Sequence, residues 1–311
     1  MTGTVLSGIN NIYRVLASGT MYSCRIKGKV LKHLPDVYNP IAVGDLVEIS
    51  VISEDEALIT ERLSRKNEFT RWNKKRNSFQ TLAANIDLAV CVTSPESPPF
   101  RPRFIDRVIV NARDSYPVLV VLNKIDQGLP SDVAVRLKEY GKMGYEYLCC
   151  SALTGDGVDE LSRKIRDKRS VFIGQSGVGK SSLINAIEPA ASRIIGELSM
   201  KYNRGSHTTS FAVLVQLGGL EGNGQGFSGG AIVDTPGIRE IEIGGMEAYE
   251  VSHFFPDFAP YASQCSYTPC LHMHEPDCGV IKALEDGLIL PDRYESYLRI
   301  LSDILAKQPA R

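Results

Sequence analysis

Gly174-Gln175-Ser176-Gly177-Val178-Gly179-Lys180-Ser181-Ser182 is the stretch that decides the fold. It follows the apolar run Ser170-Val171-Phe172-Ile173 and precedes the helix-like Leu183-Ile184-Asn185-Ala186-Ile187, so strand, glycine loop and helix stand in the order a phosphate-binding loop requires. Glycines let the backbone curl until successive N–H groups point at a β-phosphate, and the helix N-terminus adds positive potential. Lys180 is expected to reach the β- and γ-phosphates and neutralise charge there, and Ser181 to offer its hydroxyl to Mg²⁺.

Working outward, two more motifs stand directly after apolar strand-like runs. Asp234-Thr235-Pro236-Gly237 follows Ala231-Ile232-Val233 and begins 60 residues after Gly174. Asp234 can hold Mg²⁺ through water, and Gly237 can give an N–H to the γ-phosphate. Asn123-Lys124-Ile125-Asp126 follows the run from Val118 to Leu122. A carboxylate at Asp126 can accept both the ring N–H and the exocyclic amine of guanine, a pair adenine does not present, so a buried Asp126 makes the nucleotide GTP. Lys124 can lie along the base plane and Asn123 can tie its loop to the glycine loop. Ser151-Ala152-Leu153, after Cys150, can offer a backbone N–H to the guanine oxygen.

Between the glycine loop and Asp234 lies the polar segment Gly205-Ser206-His207-Thr208-Thr209-Ser210. A threonine here, Thr208 or Thr209, can complete the Mg²⁺ shell when GTP is bound and let go after hydrolysis. After Gly237 stands Ile238, where many GTPases carry a water-orienting glutamine, and His207 is the nearest substitute for that catalytic role. The order of the motifs is unusual. The guanine-reading motif precedes the glycine loop by about fifty residues instead of following it, so the chain is circularly permuted. Asp234 to Gly237 then leads straight into the C-terminal region, and switch movement should be transmitted there.

Flanking segments read differently. Residues 1 to about 65 hold short β-like runs (Ile12 to Leu16, Met21 to Ile26, Leu46 to Val51, Ala57 to Leu63) parted by turn residues, which fits a small closed barrel of OB type or another small β-domain. Glu61 to Arg76 carries seven basic and two acidic residues around Phe69 and Trp72, a strip suited either to RNA phosphates and bases or to a solvated linker. From 77 to 243, apolar runs alternate with helical stretches, as in a mainly parallel sheet covered on both faces. Overall, 35 basic residues balance 36 acidic ones, so no global field draws in nucleic acid or membrane and any such contact must be local. No leader-like N-terminus or eighteen-residue apolar run occurs, and a cytoplasmic location without membrane attachment is expected.

Three of the seven cysteines crowd into the tail, in Cys265-x4-Cys270-x-His272-x5-Cys278. Four soft or borderline ligands so close together suit a closed tetrahedral Zn²⁺ site with no place left for water, hence a structural one; free thiols are the alternative, and His274 rivals His272 by proximity.

These motifs, together with Ala84-Asn85-Ile86-Asp87 and Phe104-Ile105-Asp106-Arg107, resemble the ribosome small-subunit-dependent GTPase A family (RsgA, also YjeQ or YloQ) over essentially the whole chain. The resemblance implies an α/β fold in which a circularly permuted P-loop GTPase domain (77–243) is flanked by an N-terminal OB-fold barrel (1–65), a basic linker (66–76) and a C-terminal α-helical zinc-binding domain (244–311). It favours His272 over His274 as the fourth zinc ligand. It also implies a GTP hydrolase that acts in late maturation of the small ribosomal subunit, binds that particle and its rRNA, and is stimulated by it; a monomer is expected. Two features depart from the family: Ser206 stands where arginine usually precedes the histidine, and Gly218 to Gly230 looks like an enlarged loop. A rival reading is a nucleotide-gated rRNA-binding scaffold with incidental turnover, which the missing glutamine at Ile238 keeps open.

Overall fold

The computed structural model describes residues 1–28, 40–73, 78–191, 211–218, 230–238, 241–243 and 245–306. Five strands open the chain: β1 (Thr2–Ile9), β2 (Ile12–Ala17), β3 (Thr20–Ile26), β4 (Leu46–Val51) and β5 (Glu56–Arg62). They neighbour one another in the order β1-β2-β3-β5-β4, and β4 returns to β1 through Thr2↔Glu48 and Thr4↔Leu46, closing a barrel. Only β3 and β5 run parallel. This is the OB arrangement, filled by Val5, Val15, Cys24, Val47 and Ile59, all with no exposed surface. Asn10 and Asn11, both at positive φ, make the two-residue turn that a right-handed hairpin twist favours. β1 has no clear alternation in sequence because two of its positions must be glycine: a Cβ on Gly3 would lie 2.5 Å from Val15 Cγ1, and one on Gly8 2.8 Å from the Tyr13 ring.

Next, β6 (Glu68–Asn73) and β7 (Ser78–Ala84) form an antiparallel hairpin. The strip expected to be either a linker or an RNA surface is therefore strand from residue 68 to 73, and its Phe69 is fully buried and closed to base stacking. Its charges are also engaged. Arg65 pairs with Asp45 at 2.7 Å and with Glu68, Arg62 donates to the Pro40 carbonyl, Lys66 pairs with Asp87, and Arg71 donates to Gln80. Lys74, Lys75 and Arg76 lie outside the described residues.

The α/β unit follows as β8 (Leu88–Thr93), α1 (Pro102–Ala112), β9 (Val118–Leu122), α2 (Ser131–Lys142), β10 (Tyr147–Cys149), α3 (Val158–Ile165), β11 (Arg169–Gly174), α4 (Lys180–Ile187), β12 (Val213–Gln216) and β13 (Ala231–Asp234). The strand order is β10-β9-β8-β11-β13-β12, parallel except for β12. Strands buried on both faces need apolar side chains throughout, hence VLVVL in β9 with every residue buried. Within β11, Val171 and Ile173 face the core shared with α1 and α2, while Phe172 faces the core of α3 and α4. Ser7 of β1 pairs with Val213 of β12, so barrel and α/β sheet share one eleven-stranded sheet.

Beyond β13 a 3₁₀ turn (Ala248–Phe254) leads to α5 (Ala259–Ala262), α6 (Gly279–Glu285) and α7 (Pro291–Leu305). Phe255, Phe258, Tyr297 and Ile300 join the same apolar core as α1, so the tail is packed onto the α/β unit rather than tethered to it. Arg293, 1% exposed, sits at that junction. It contacts Asp106 of α1 at 2.5 Å and Asp257 at 3.2 Å, stacks over Phe255, and shares Asp106 with the Tyr140 hydroxyl of α2. Burial alone would lower its pKa, but the two carboxylates more than reverse that and hold the guanidinium charged.

Candidate nucleotide pocket and metal centre

All three motif loops emerge from the carboxyl ends of β9, β11 and β13, where an open parallel sheet builds its sites. Gly179, at φ 90°, starts α4 in a left-handed conformation that only glycine adopts without strain, and a Cβ there would meet Asn123 Nδ2 at 2.3 Å. Asn123 is the knot of the pocket. Its Nδ2 donates to the Val178 carbonyl at 2.9 Å, and its Oδ1 accepts the Ala152 N–H at 3.0 Å, which joins the glycine loop, the Asn123–Asp126 loop and the Ser151 bend. Ile125 N–H donates to the Cys150 carbonyl, adding a backbone tie between the last two. Lys124 adopts φ 69° and its Nζ donates to the Ser97 carbonyl at 2.6 Å.

Asp126 accepts the Ser151 hydroxyl on Oδ1 at 2.5 Å. Contrary to the expectation of burial, it is exposed. Ala152's N–H, expected to be offered to the base, is already donated to Asn123.

At the phosphate end, Lys180 is 7% exposed and folds inward, donating to the Gly174 and Gln175 carbonyls at 2.9 and 3.1 Å. Asp234 is fully buried, with Ser181 Oγ 3.4 Å from its Oδ2 and, among the described residues, no hydrogen bond on Oδ1. A buried carboxylate oxygen without a donor beside a serine hydroxyl suits a cation, the chemistry Mg²⁺ supplies with a nucleotide. Burial lifts Asp234 to about 6 against the opposing pull of Lys180 and Ser181. It lowers Lys180 to about 8 despite Asp234. Gly237 is pressed on the glycine loop, since a Cβ there would lie 2.8 Å from the Ser176 backbone. Ile238, 2% exposed, donates its N–H to Gly174 O and turns its side chain into the core. Ser206, His207, Thr208 and Thr209 lie outside the described residues, as does most of the loop between Gly218 and Gly230.

In the tail, Cys265, Cys270, His272 and Cys278 bring their ligand atoms within 4.8 Å of one another. A zinc–sulfur bond of about 2.3 Å at the tetrahedral angle places two sulfurs about 3.8 Å apart. Cys265 to Cys278 measures 3.7 Å and Cys270 to Cys278 3.8 Å, with His272 Nδ1 3.3 and 3.6 Å from two of the sulfurs. These four distances match those of a tetrahedral ion. His274 is exposed and takes no part. Two supports went unread in the sequence: the Ser97 carbonyl that holds Lys124, and Glu275, whose carboxylate receives the N–H groups of the ligand loop. Both sit within proline-containing turns beside a motif, Ser94 to Pro102 and Glu275-Pro276.

The sheet, the glycine loop and the loop order define a P-loop GTPase with circularly permuted motifs. Matches to known proteins agree. The RsgA GTPase family model covers residues 62–244 and the RsgA N-terminal domain model covers residues 2–59. The chain is 40% identical over 303 residues to the small ribosomal subunit biogenesis GTPase RsgA of Borreliella burgdorferi (strain ZS7), spanning 96% of this chain and 95% of the relative. Identity to the protein of the same description from Geobacillus thermodenitrificans is 33% over 311 residues, 99% and 98% of the two chains. The structure resembles that of YjeQ from Thermotoga maritima (TM-score 0.71, 30% identity, 99% of each chain) and that of YloQ, a circularly permuted GTPase (TM-score 0.66, 27% identity, 100% of this chain and 96% of the other). The chain belongs to the RsgA GTPase family, whose members hydrolyse GTP.

Proposed function

We propose that this chain is a cytoplasmic, monomeric GTPase that acts in late maturation of the small ribosomal subunit, binds its rRNA, and is stimulated by that particle. The observation that carries the GTP reading is the Asn123 knot, which sets Asp126 and the glycine loop around one pocket. The relatives named for small-subunit biogenesis, matched over almost the full chain, support the particle as partner. Among the described residues no helix is long and apolar enough to cross a membrane, in keeping with an aqueous partner.

In this reading Asp126 and Lys124, with Asn123, Ile125, Ser151 and Ala152 shaping the loop, select guanine. Residues Gly174 to Ser182 cradle the phosphates, and Gly237 adds an N–H to the γ-phosphate. Mg²⁺ arriving with the nucleotide would be held by Ser181 and by Thr208 or Thr209, with Asp234 behind it, and supplies positive charge at the phosphates. Lys180 swings from the Gly174 and Gln175 carbonyls to the β- and γ-oxygens, where its charge offsets that developing during water attack. Cys265, Cys270, His272 and Cys278 would hold one structural Zn²⁺.

With the Ile238 side chain in the core, nothing at that position can orient water, and His207 is left as the candidate. The test is multiple-turnover GTP hydrolysis with and without purified small subunits. Turnover should rise by orders of magnitude with subunits, and His207→Ala should keep nucleotide affinity while losing most of that rise. Unchanged turnover in the presence of bound subunits would favour the scaffold reading.

The pocket also sets a pH window. Binding needs Asp234 ionised and Lys180 protonated, and in the free chain these change state at about 6 and about 8. Below the first value a proton must leave Asp234 on binding, and above the second one must join Lys180. Mg²⁺·GTP affinity should be level between the two and fall about tenfold per pH unit outside them. Calorimetric titrations across that range that give a constant affinity would contradict this assignment.

A further inference from the structure

The two halves of the cysteine–histidine cluster stand on unequal supports. Cys265 closes the turn after α5, donating its N–H to the Ala262 carbonyl, and Cys278 caps the start of α6, its carbonyl accepting the Lys282 N–H. Cys270 and His272 instead lie on an irregular segment, and His272 adopts φ 53°, a left-handed conformation disfavoured for its side chain. Something must hold that backbone, and the hydrogen bonds show what does. The Glu275 carboxylate accepts the Leu271 N–H at 2.7 Å on one oxygen, and the Met273 and His274 N–H groups at 2.8 and 3.1 Å on the other. On the opposite side of the same backbone, Tyr297 donates its hydroxyl to the Leu271 carbonyl at 2.6 Å and Tyr294 donates to the His272 carbonyl at 2.7 Å.

Glu275 is not among the four ligands, yet it gathers the N–H group of Leu271, which stands between Cys270 and His272, and those of Met273 and His274, the two residues after His272. Building on the zinc reading above, we infer that Glu275 is a positioning residue that sets the Cys270–His272 arm in ligand geometry, with the Tyr294 and Tyr297 hydroxyls fixing the same arm from α7. A loop already bent to the metal loses less freedom on binding, so the ion is held longer than the four ligands alone would hold it. The alternative is that Glu275 only tidies a surface turn and leaves the ligands indifferent.

The experiment uses the full chain. Zinc content of the parent is measured first, and then zinc release to an excess of chelating dye is followed for the parent, Glu275→Gln and Glu275→Ala, with GTP affinity as the check that each protein is folded. Release should quicken by about 10- to 100-fold in Glu275→Ala and by less in Glu275→Gln, which retains one acceptor oxygen. Amide exchange at Leu271, Met273 and His274 should quicken in the same order. Release within twofold of the parent in both folded variants, with those amides deprotected, overturns the inference and leaves the zinc site standing. A parent chain that carries no zinc overturns both. Should Glu275→Ala not fold, the Gln variant decides alone, because it keeps the shape of the side chain.

Discussion

Asp126→Asn is expected to weaken GTP binding by about 10²- to 10⁴-fold, because neither of the two guanine donors keeps a charged acceptor, whose hydrogen bonds are worth roughly 1.5–3 kcal/mol each, and one of them meets a donor instead. The substitution does more than remove attraction. An amide presents one acceptor and one donor, so its NH₂ is brought against the donor amine of guanine, whereas xanthine carries a carbonyl at that place. The variant should therefore gain relative affinity for xanthosine triphosphate while its phosphate grip stays intact. Competition binding with GTP, XTP and ATP measures the shift. An Asp126→Asn chain that still prefers GTP over XTP as strongly as the parent would remove Asp126 from the pocket. The Ser151 hydroxyl, now donated to Asp126 at 2.5 Å, can still donate to the asparagine oxygen, so the loop should persist and the effect be confined to the base.

Arg293→Met is the second large expectation. Its guanidinium is 1% exposed and faces Asp106, which has no exposed surface; Oδ1 of that carboxylate takes both Arg293 and the Tyr140 hydroxyl, and among the described residues Oδ2 has no hydrogen-bond partner. Breaking one side of a buried ion pair costs about 3–5 kcal/mol, because the remaining carboxylate is stranded without water. Methionine keeps the contact with Phe255, which isolates the electrostatic loss from a packing loss. Urea unfolding should show the drop, and Asp106→Asn added to Arg293→Met should recover part of it by removing the stranded charge. Equal stability of Arg293→Met and the parent would mean that the junction between α1 and the tail is not held by this pair.

Much of the pocket was legible because its chemistry depends on local order. A glycine loop between a strand and a helix, and short motifs directly after apolar runs, are readable wherever the sheet places them. The permutation did not obscure them, because each loop is fixed by its own strand. The cysteine spacing was readable for the same reason. Other features needed three dimensions. Phe69 and Arg65 looked like parts of an RNA strip, yet one is core and the other is tied to Asp45 and Glu68, and charge counting along a chain cannot tell a paired cation from an available one. β1 was absent from the readable runs since Gly3 and Gly8 answer to Val15 and Tyr13 across the barrel. Arg293 and Asp106 lie far apart in sequence, and nothing near either announces the other.

The bridge from Ser7 to Val213 bears on how the chain is made. β1 gains β2 early and closes on β4 once residue 51 has been synthesised, but the outer rim of its second half must wait for a strand some two hundred residues downstream. During that interval a nascent chain displays an open edge, the kind of surface on which strands from other molecules add. Crowded translation at high temperature should therefore favour clumping of shortened chains that stop before residue 213 over clumping of the finished one.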